Sequence, residues 1–223
     1  HLNSVPLSNS LTTALSNKTF EGCTGTLYID CALTFNLSFT TSSGPFLGSC
    51  FEEVNVNSSY VPANLLYNQQ FVRRINLTGA TTIAGNPAPS CYSLGAYNIE
   101  ESSSLSSYEG CIYSSNLMTL QYVPAGQHCI IVNGSCTSIT AYIDSNKTHY
   151  MDITALAGHS FTASRTCQSM PNVIIREGDN HYASKFYSGT KFISSRPRFD
   201  VDGNNVVNVQ DIKTIVNEAL KEK

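Results

Sequence analysis

Thr26-Leu27-Tyr28-Ile29, followed closely by Leu33-Thr34-Phe35-Asn36-Leu37-Ser38-Phe39, decides how the chain is read. Apolar and polar residues alternate there with the period of two that a strand with one buried face requires. Working outward, Phe71-Val72-Arg73-Arg74-Ile75-Asn76-Leu77 and Leu117-Met118-Thr119-Leu120-Gln121-Tyr122-Val123 are further strand candidates, separated by Gly, Pro, Asn and Ser. Ala84-Gly85-Asn86-Pro87-Ala88-Pro89 interrupts them, because each Pro removes a ladder donor. The Ser-rich stretch Glu101–Ser107 reads as a loop closed at its base by Cys91 and Cys111. Beyond Cys129 the runs Ile130–Val132, Ser138–Ile143 and Val173–Arg176 continue the pattern. Val173–Ser195 reads as a meander with turns at Gly178-Asp179-Asn180 and Ser188-Gly189-Thr190. No internal repeat of 20–50 residues is evident.

Eight cysteines, Cys23, Cys31, Cys50, Cys91, Cys111, Cys129, Cys136 and Cys167, are even in number and widely scattered. They lack the paired short spacings of zinc sites, so disulfides formed in an oxidising compartment are the expectation. Cys129–Cys136 and Cys23–Cys31 are the local pairings considered, with the connectivity otherwise open. The fold expected is mainly β: a disulfide-stabilised antiparallel sandwich or barrel-like body with a C-terminal calcium loop and helix. Its parts are an N-terminal extension or first strand (1–20), a β-rich disulfide-containing domain (21–197), and the terminal loop and helix (198–223).

Charged residues make up 13% of the 223-residue chain, about half the usual share. Ser, Thr and Asn take their place, as on cell-surface proteins. The 12 Tyr and 10 Phe argue for a packed core rather than disorder. A net charge of −3 without clustered cations argues against nucleic-acid binding. No apolar run is long enough to span a membrane. The chain opens on His1 rather than Met, which fits a processed or trimmed amino terminus. Six N-x-[ST] sequons, at Asn17, Asn36, Asn57, Asn76, Asn133 and Asn146, permit glycosylation. In a chain this rich in Asn, Ser and Thr, about four or five would arise by accident.

The sharpest local pattern is Asp200-Val201-Asp202-Gly203-Asn204-Asn205-Val206-Val207-Asn208-Val209-Gln210-Asp211. Asp200, Asp202, Asn204, Asn208 and Asp211 place side-chain oxygens at loop positions 1, 3, 5, 9 and 12, and Val206 can offer its carbonyl, as a calcium ion requires. A helix is expected from Val209 to about Leu220, with Ile212, Ile215, Val216, Ala219 and Leu220 forming one apolar stripe. This segment resembles one calcium-binding repeat of a type I dockerin, although position 6 is Asn205 rather than Gly. The resemblance covers only residues 200–223. It implies the same ligand set and a bound Ca2+; dockerins carry two such repeats and dock onto cohesins, whereas this chain has one.

The five histidines form no metal or nucleophile motif, and no phosphate-binding glycine loop occurs. A non-enzymatic, extracellular structural or adhesive protein is therefore expected, self-associating or bound to another surface protein, with a filament subunit as one form. A glycan-, receptor- or cohesin-type binding module is the alternative, and a secreted hydrolase the third.

Overall fold

The computed structural model describes residues 4–7, 17–30, 44–144, 146–156, 159–179 and 181–195. The first half contains β1 (Ser4–Leu7), β2 (Thr24–Asp30), β3 (Cys50–Asn57), β4 (Tyr60–Val61), β5 (Arg74–Thr78), β6 (Thr82–Ile83) and β7 (Ala96–Glu100). β1, β2, β3, β5 and β7 lie side by side in one sheet, every pair parallel; β4 and β6 form a second, two-stranded ladder. The chain therefore winds as a parallel β-solenoid, returning to the same sheet once per coil.

In-register parallel pairing stacks like on like. Leu27, Val54, Ile75 and Tyr97 are successive register partners, and all four are fully buried. Ile29, Val56, Leu77 and Ile99 form the next rung. Alternation along each strand thus supplies two apolar columns that close a continuous core. On the far side of the coils, backbone bonds repeat the ladder: Asn64 N donates to Asn86 O, and Leu66 N to Pro87 O. A buried polar column joins coils as well, with Ser49 Oγ donating to Gln69 Oε1 at 2.8 Å and Gln69 N to Cys91 Sγ at 3.3 Å.

A hairpin, β8 (Leu105–Tyr108) and β9 (Cys111–Ser114), interrupts the winding. Among the described residues, the antiparallel pairs are β8–β9 and β9 with the strand Thr119–Tyr122. The second half then builds two parallel ladders from β10 (Thr119–Tyr122), β11 (Cys129–Ile131), β12 (Ser138–Ile139), β13 (Tyr150–Asp152), β14 (Thr162–Ala163), β15 (Asn172–Arg176) and β16 (Lys191–Ser195). β10, β12 and β14 adjoin in one, and β11, β13, β15 and β16 in the other. A one-turn helix, Arg165–Gln168, begins at Ser164, whose side chain accepts from Cys167 N. Two apolar clusters result, one centred on the first sheet and one on the second pair of ladders.

This architecture corrects several expectations. The antiparallel sandwich or barrel is replaced by a solenoid, because partners recur along the chain at intervals from 19 residues (Leu120 to Ile139) to 27 (Leu27 to Val54). A repeat is thus present after all. Its varying length hid it. The Val173–Ser195 meander is instead a parallel pair, Val173 opposite Phe192. Leu105–Ser107 belongs to a strand rather than a loop.

The disulfide expectation also fails. Cys23, Cys50, Cys91, Cys111, Cys129, Cys136 and Cys167 are all free thiols. Cys91, Cys111, Cys136 and Cys167 are buried, filling positions where a coil needs a small apolar residue. Cys91 Sγ donates to Leu66 O at 2.7 Å, whereas Cys111 Sγ faces Gln127 Oε1 at 3.0 Å, so the expected bridge at the base of the Ser-rich stretch does not form. Cys136 Sγ reaches Ser138 O rather than Cys129. Cys31 and the run Leu33–Phe39 lie outside the described residues.

Candidate recognition surfaces

The outward face of the first sheet is built by the residues that alternate with its core columns. Asn55, Asn76 and Asn98 are successive register partners on β3, β5 and β7. Asn76 Nδ2 donates to Asn55 Oδ1 at 2.7 Å and to Glu53 Oε1 at 2.7 Å; Asn98 Nδ2 donates to Asn76 Oδ1 at 2.8 Å. One step along the strands, Asn57 Nδ2 donates to Asp30 Oδ1 at 2.8 Å. Exposed Tyr28 stands beside this array, and a shallow hollow of about 250 Å³ runs over Tyr28, Asp30, Asn55, Asn57 and Thr78. The face is a rigid, hydrogen-bonded and mostly uncharged plate.

A deeper feature lies where the two halves meet. A cleft of about 520 Å³ is lined by Asn86 from the first half and by Thr119, Gln121, Tyr122, Val123, Thr140 and Tyr142 from the second. An adjoining hollow of about 160 Å³ shares Asn86, Val123 and Tyr142 and adds Tyr92, Pro124, Asp144 and Thr148 among others. Tyr142 therefore stands between the two. It is 70% exposed, because its neighbours Ala141 and Ile143 take the buried parity. Tyr92 is 42% exposed, and Lys147 Nζ sits 4.6 Å from its ring centre, a cation–π contact that holds the ring.

The cleft walls are tied across the junction. Tyr122 Oη donates to Ile83 O at 3.4 Å, and Gly126 N donates to Leu94 O at 3.0 Å. A Cβ on Gly126 would lie 2.5 Å from Tyr92 O, so only glycine permits this approach of the backbones. Asn86 Oδ1 accepts from Ala88 N at 3.0 Å and from Tyr97 Oη at 3.3 Å. Its Nδ2 donates to no described residue. Burial raises the Tyr122 phenol above its ordinary value, keeping it protonated and able to donate.

The residues singled out by sequence are scattered over this framework. Asn76 is locked into the ladder and cannot carry a glycan without breaking it. Asn57 is exposed but bonded to Asp30, and Asn133 Oδ1 accepts from Ser135 N at 2.9 Å in a turn. Asn17 and Asn146 are exposed, while Asn36 lies outside the described residues. So does the whole calcium loop with its helix, Asp200, Asp202, Asn204, Val206, Asn208 and Asp211 included. Among the described residues, no group of three or more His, Cys, Asp or Glu is placed to hold a metal. The His128 and His149 rings lie 5.9 Å apart, tilted by 40°, and each bonds to a backbone carbonyl. Burial pushes the Cys91 and Cys167 thiols up to about 12, and Cys111 higher still, so these sulfurs stay protonated and inert.

Sequence reasoning passed over Asn86, Tyr92, Gln121 and Tyr142. For Tyr142 a signal exists: Ala141-Tyr142-Ile143 alternates, and an aromatic on the outward parity is a surface anchor rather than core.

No family model matches the chain, and no curated protein matches it. Among solved structures it is similar to a leucine-rich repeat protein from Eubacterium ventriosum, with 12% identity and a TM-score of 0.33 over 69% of this chain and 48% of that one. The chain thus spans about half the length of that protein, and nothing about function follows from the likeness.

Proposed function

We propose that the chain is a non-catalytic recognition module of an extracellular adhesive protein, and that the cleft between its two halves takes the ligand. The observation that carries this is the pairing of exposed Tyr142 and Tyr92 with uncharged hydrogen-bonding side chains in a preformed concavity. Ligand sites of this kind combine aromatic walls with a few placed polar groups. The polar plate around Asn76 supports the same reading, since solenoids carry extended surfaces on a stiff frame. The low-charge, Ser/Thr/Asn-rich composition supports the extracellular setting.

Binding of the fluorescently labelled chain to cultured epithelial cell layers tests the reading. Saturable binding that falls on Tyr142→Ala is the expected result. Binding that is absent, or equal for the wild-type chain and the variant, would remove the cleft from consideration.

A further inference from the structure

We infer that the cleft binds an uncharged saccharide, with Tyr142 as the platform for one pyranose ring; the inference rests on the recognition reading above and names its ligand class. Its chemistry is read from the lining. Asn86, Thr119, Gln121 and Thr140 offer neutral amides and hydroxyls, both donors and acceptors, and they face a cleft large enough for two or three rings. A ligand that satisfies such a set must itself be dense in hydroxyls, which both donate and accept.

The aromatic component narrows the class further. A sugar ring has polar edges and one face made of C–H groups. That face needs a flat, exposed π surface, which Tyr142 supplies at the junction of the two hollows. Tyr92, with Lys147 over its ring, also lines the smaller hollow. An amphipathic peptide would want an apolar pocket in place of these four neutral polar side chains. A single-stranded nucleic acid would want cations along its path, and Lys147 is committed to Tyr92.

Charge selects between neutral and anionic sugars. Asp144 lines the smaller hollow, its Oδ1 accepting from Asn146 N at 3.0 Å, and among the described residues no cationic side chain lines either hollow, Lys147 lying over the Tyr92 ring. A carboxylate there accepts a hydroxyl proton and repels a sialic acid or a sulfate. Uncharged hexose or N-acetylhexosamine oligomers fit; acidic ones do not.

Calorimetric titration of the full chain tests this, using neutral tetrasaccharides built on glucose, mannose, galactose and N-acetylglucosamine alongside sialylated and sulfated counterparts. Expected are saturable binding of at least one neutral oligomer, about a tenfold loss on Tyr142→Ala, and a change under about twofold on Tyr142→Phe, which keeps the ring. Asn98→Ala, on the distant plate, should leave that affinity unchanged. Tyr142 is surface-exposed, so circular dichroism should show Tyr142→Ala folded. Binding of only the acidic sugars, of none of the panel, or with equal affinity in Tyr142→Ala would overturn the saccharide assignment. Loss of cell-layer binding in Tyr142→Ala would then still uphold the recognition reading; unchanged cell-layer binding would end both.

Discussion

Asn76 and Asn55 face one another on adjacent parallel strands, and the Nδ2 of Asn76 donates to the Oδ1 of Asn55 across 2.7 Å. That contact needs two residues from successive coils to meet in register. In-register parallel coils bring such partners together, here Asn55, Asn76 and Asn98. With Asn98 the ladder crosses three strands and leaves Asn76 with both its oxygen and its amide nitrogen engaged.

Asn76→Ala should therefore lower stability by about 1–2 kcal/mol, the usual effect of removing a part-buried hydrogen-bonding side chain. Asn76→Asp should be worse at neutral pH, because the new carboxylate would face Glu53 Oε1 and Asn55 Oδ1. The difference between the two variants should shrink below about pH 4, where carboxylates take up protons. Urea denaturation at pH 7 and pH 4 measures it.

Cys91 and Cys167 bear on alkaline stability. Their thiols rise from the ordinary 9.0 to about 12 in the folded chain, chiefly by desolvation. Above pH 9 the unfolded chain releases these protons while the folded chain keeps them, so unfolding gains. Each thiol should then cost up to about 1.4 kcal/mol per pH unit until pH 12. Thermal melts should fall steeply over that window, and Cys91→Ala should flatten the fall. In native protein at pH 8, a thiol reagent should modify Cys91, Cys111, Cys136 and Cys167 only as fast as the chain unfolds.

Gly126→Ala should destabilise the junction by roughly 1–3 kcal/mol, since its Cβ would press on the Tyr92 carbonyl. The same displacement moves Tyr92 in the cleft wall. Ligand affinity should drop along with the melting temperature, and tyrosine fluorescence should report both.

The calcium ion expected at Asp200, Asp202, Asn204, Val206, Asn208 and Asp211 is checked by titration of the full chain. Saturable heat of Ca2+ binding that vanishes in Asp200→Ala with Asp202→Ala is the outcome expected of the ligand spacing. Unchanged melting with excess chelator would reject it.

Strand positions were legible in the sequence where a run alternates on its own: Thr26–Ile29 lies inside β2, Thr119–Tyr122 inside its candidate run, and Ile130 and Ile131 inside β11. Alternation does not say what a strand pairs with. Leu27 and Val54 would look the same beside an antiparallel neighbour, and the parallel pairing appears only when whole coils are superposed. The cysteines misled for a related reason. An even count suggests bridges, but the solenoid core uses Cys91 and Cys167 as small buried residues at different levels. The cleft was the least legible, because it joins Asn86 to Tyr142 across the β8–β9 hairpin, whose Glu109-Gly110 turn marks a chain reversal but not the surfaces it brings together. Only the outward parity of Tyr142 was there to be read.

In-register oxidation of paired cysteines tests the solenoid most directly. Thr78 and Glu100 are register partners on β5 and β7, so Thr78→Cys with Glu100→Cys should cross-link rapidly on mild oxidation. Thr78→Cys with Thr26→Cys, on β5 and β2 with β3 between them, should not. A cross-linked peptide joining positions 78 and 100, seen by mass spectrometry in the first variant and absent from the second, is the result expected of a parallel solenoid. No link between 78 and 100, or equal linking in both variants, would contradict it.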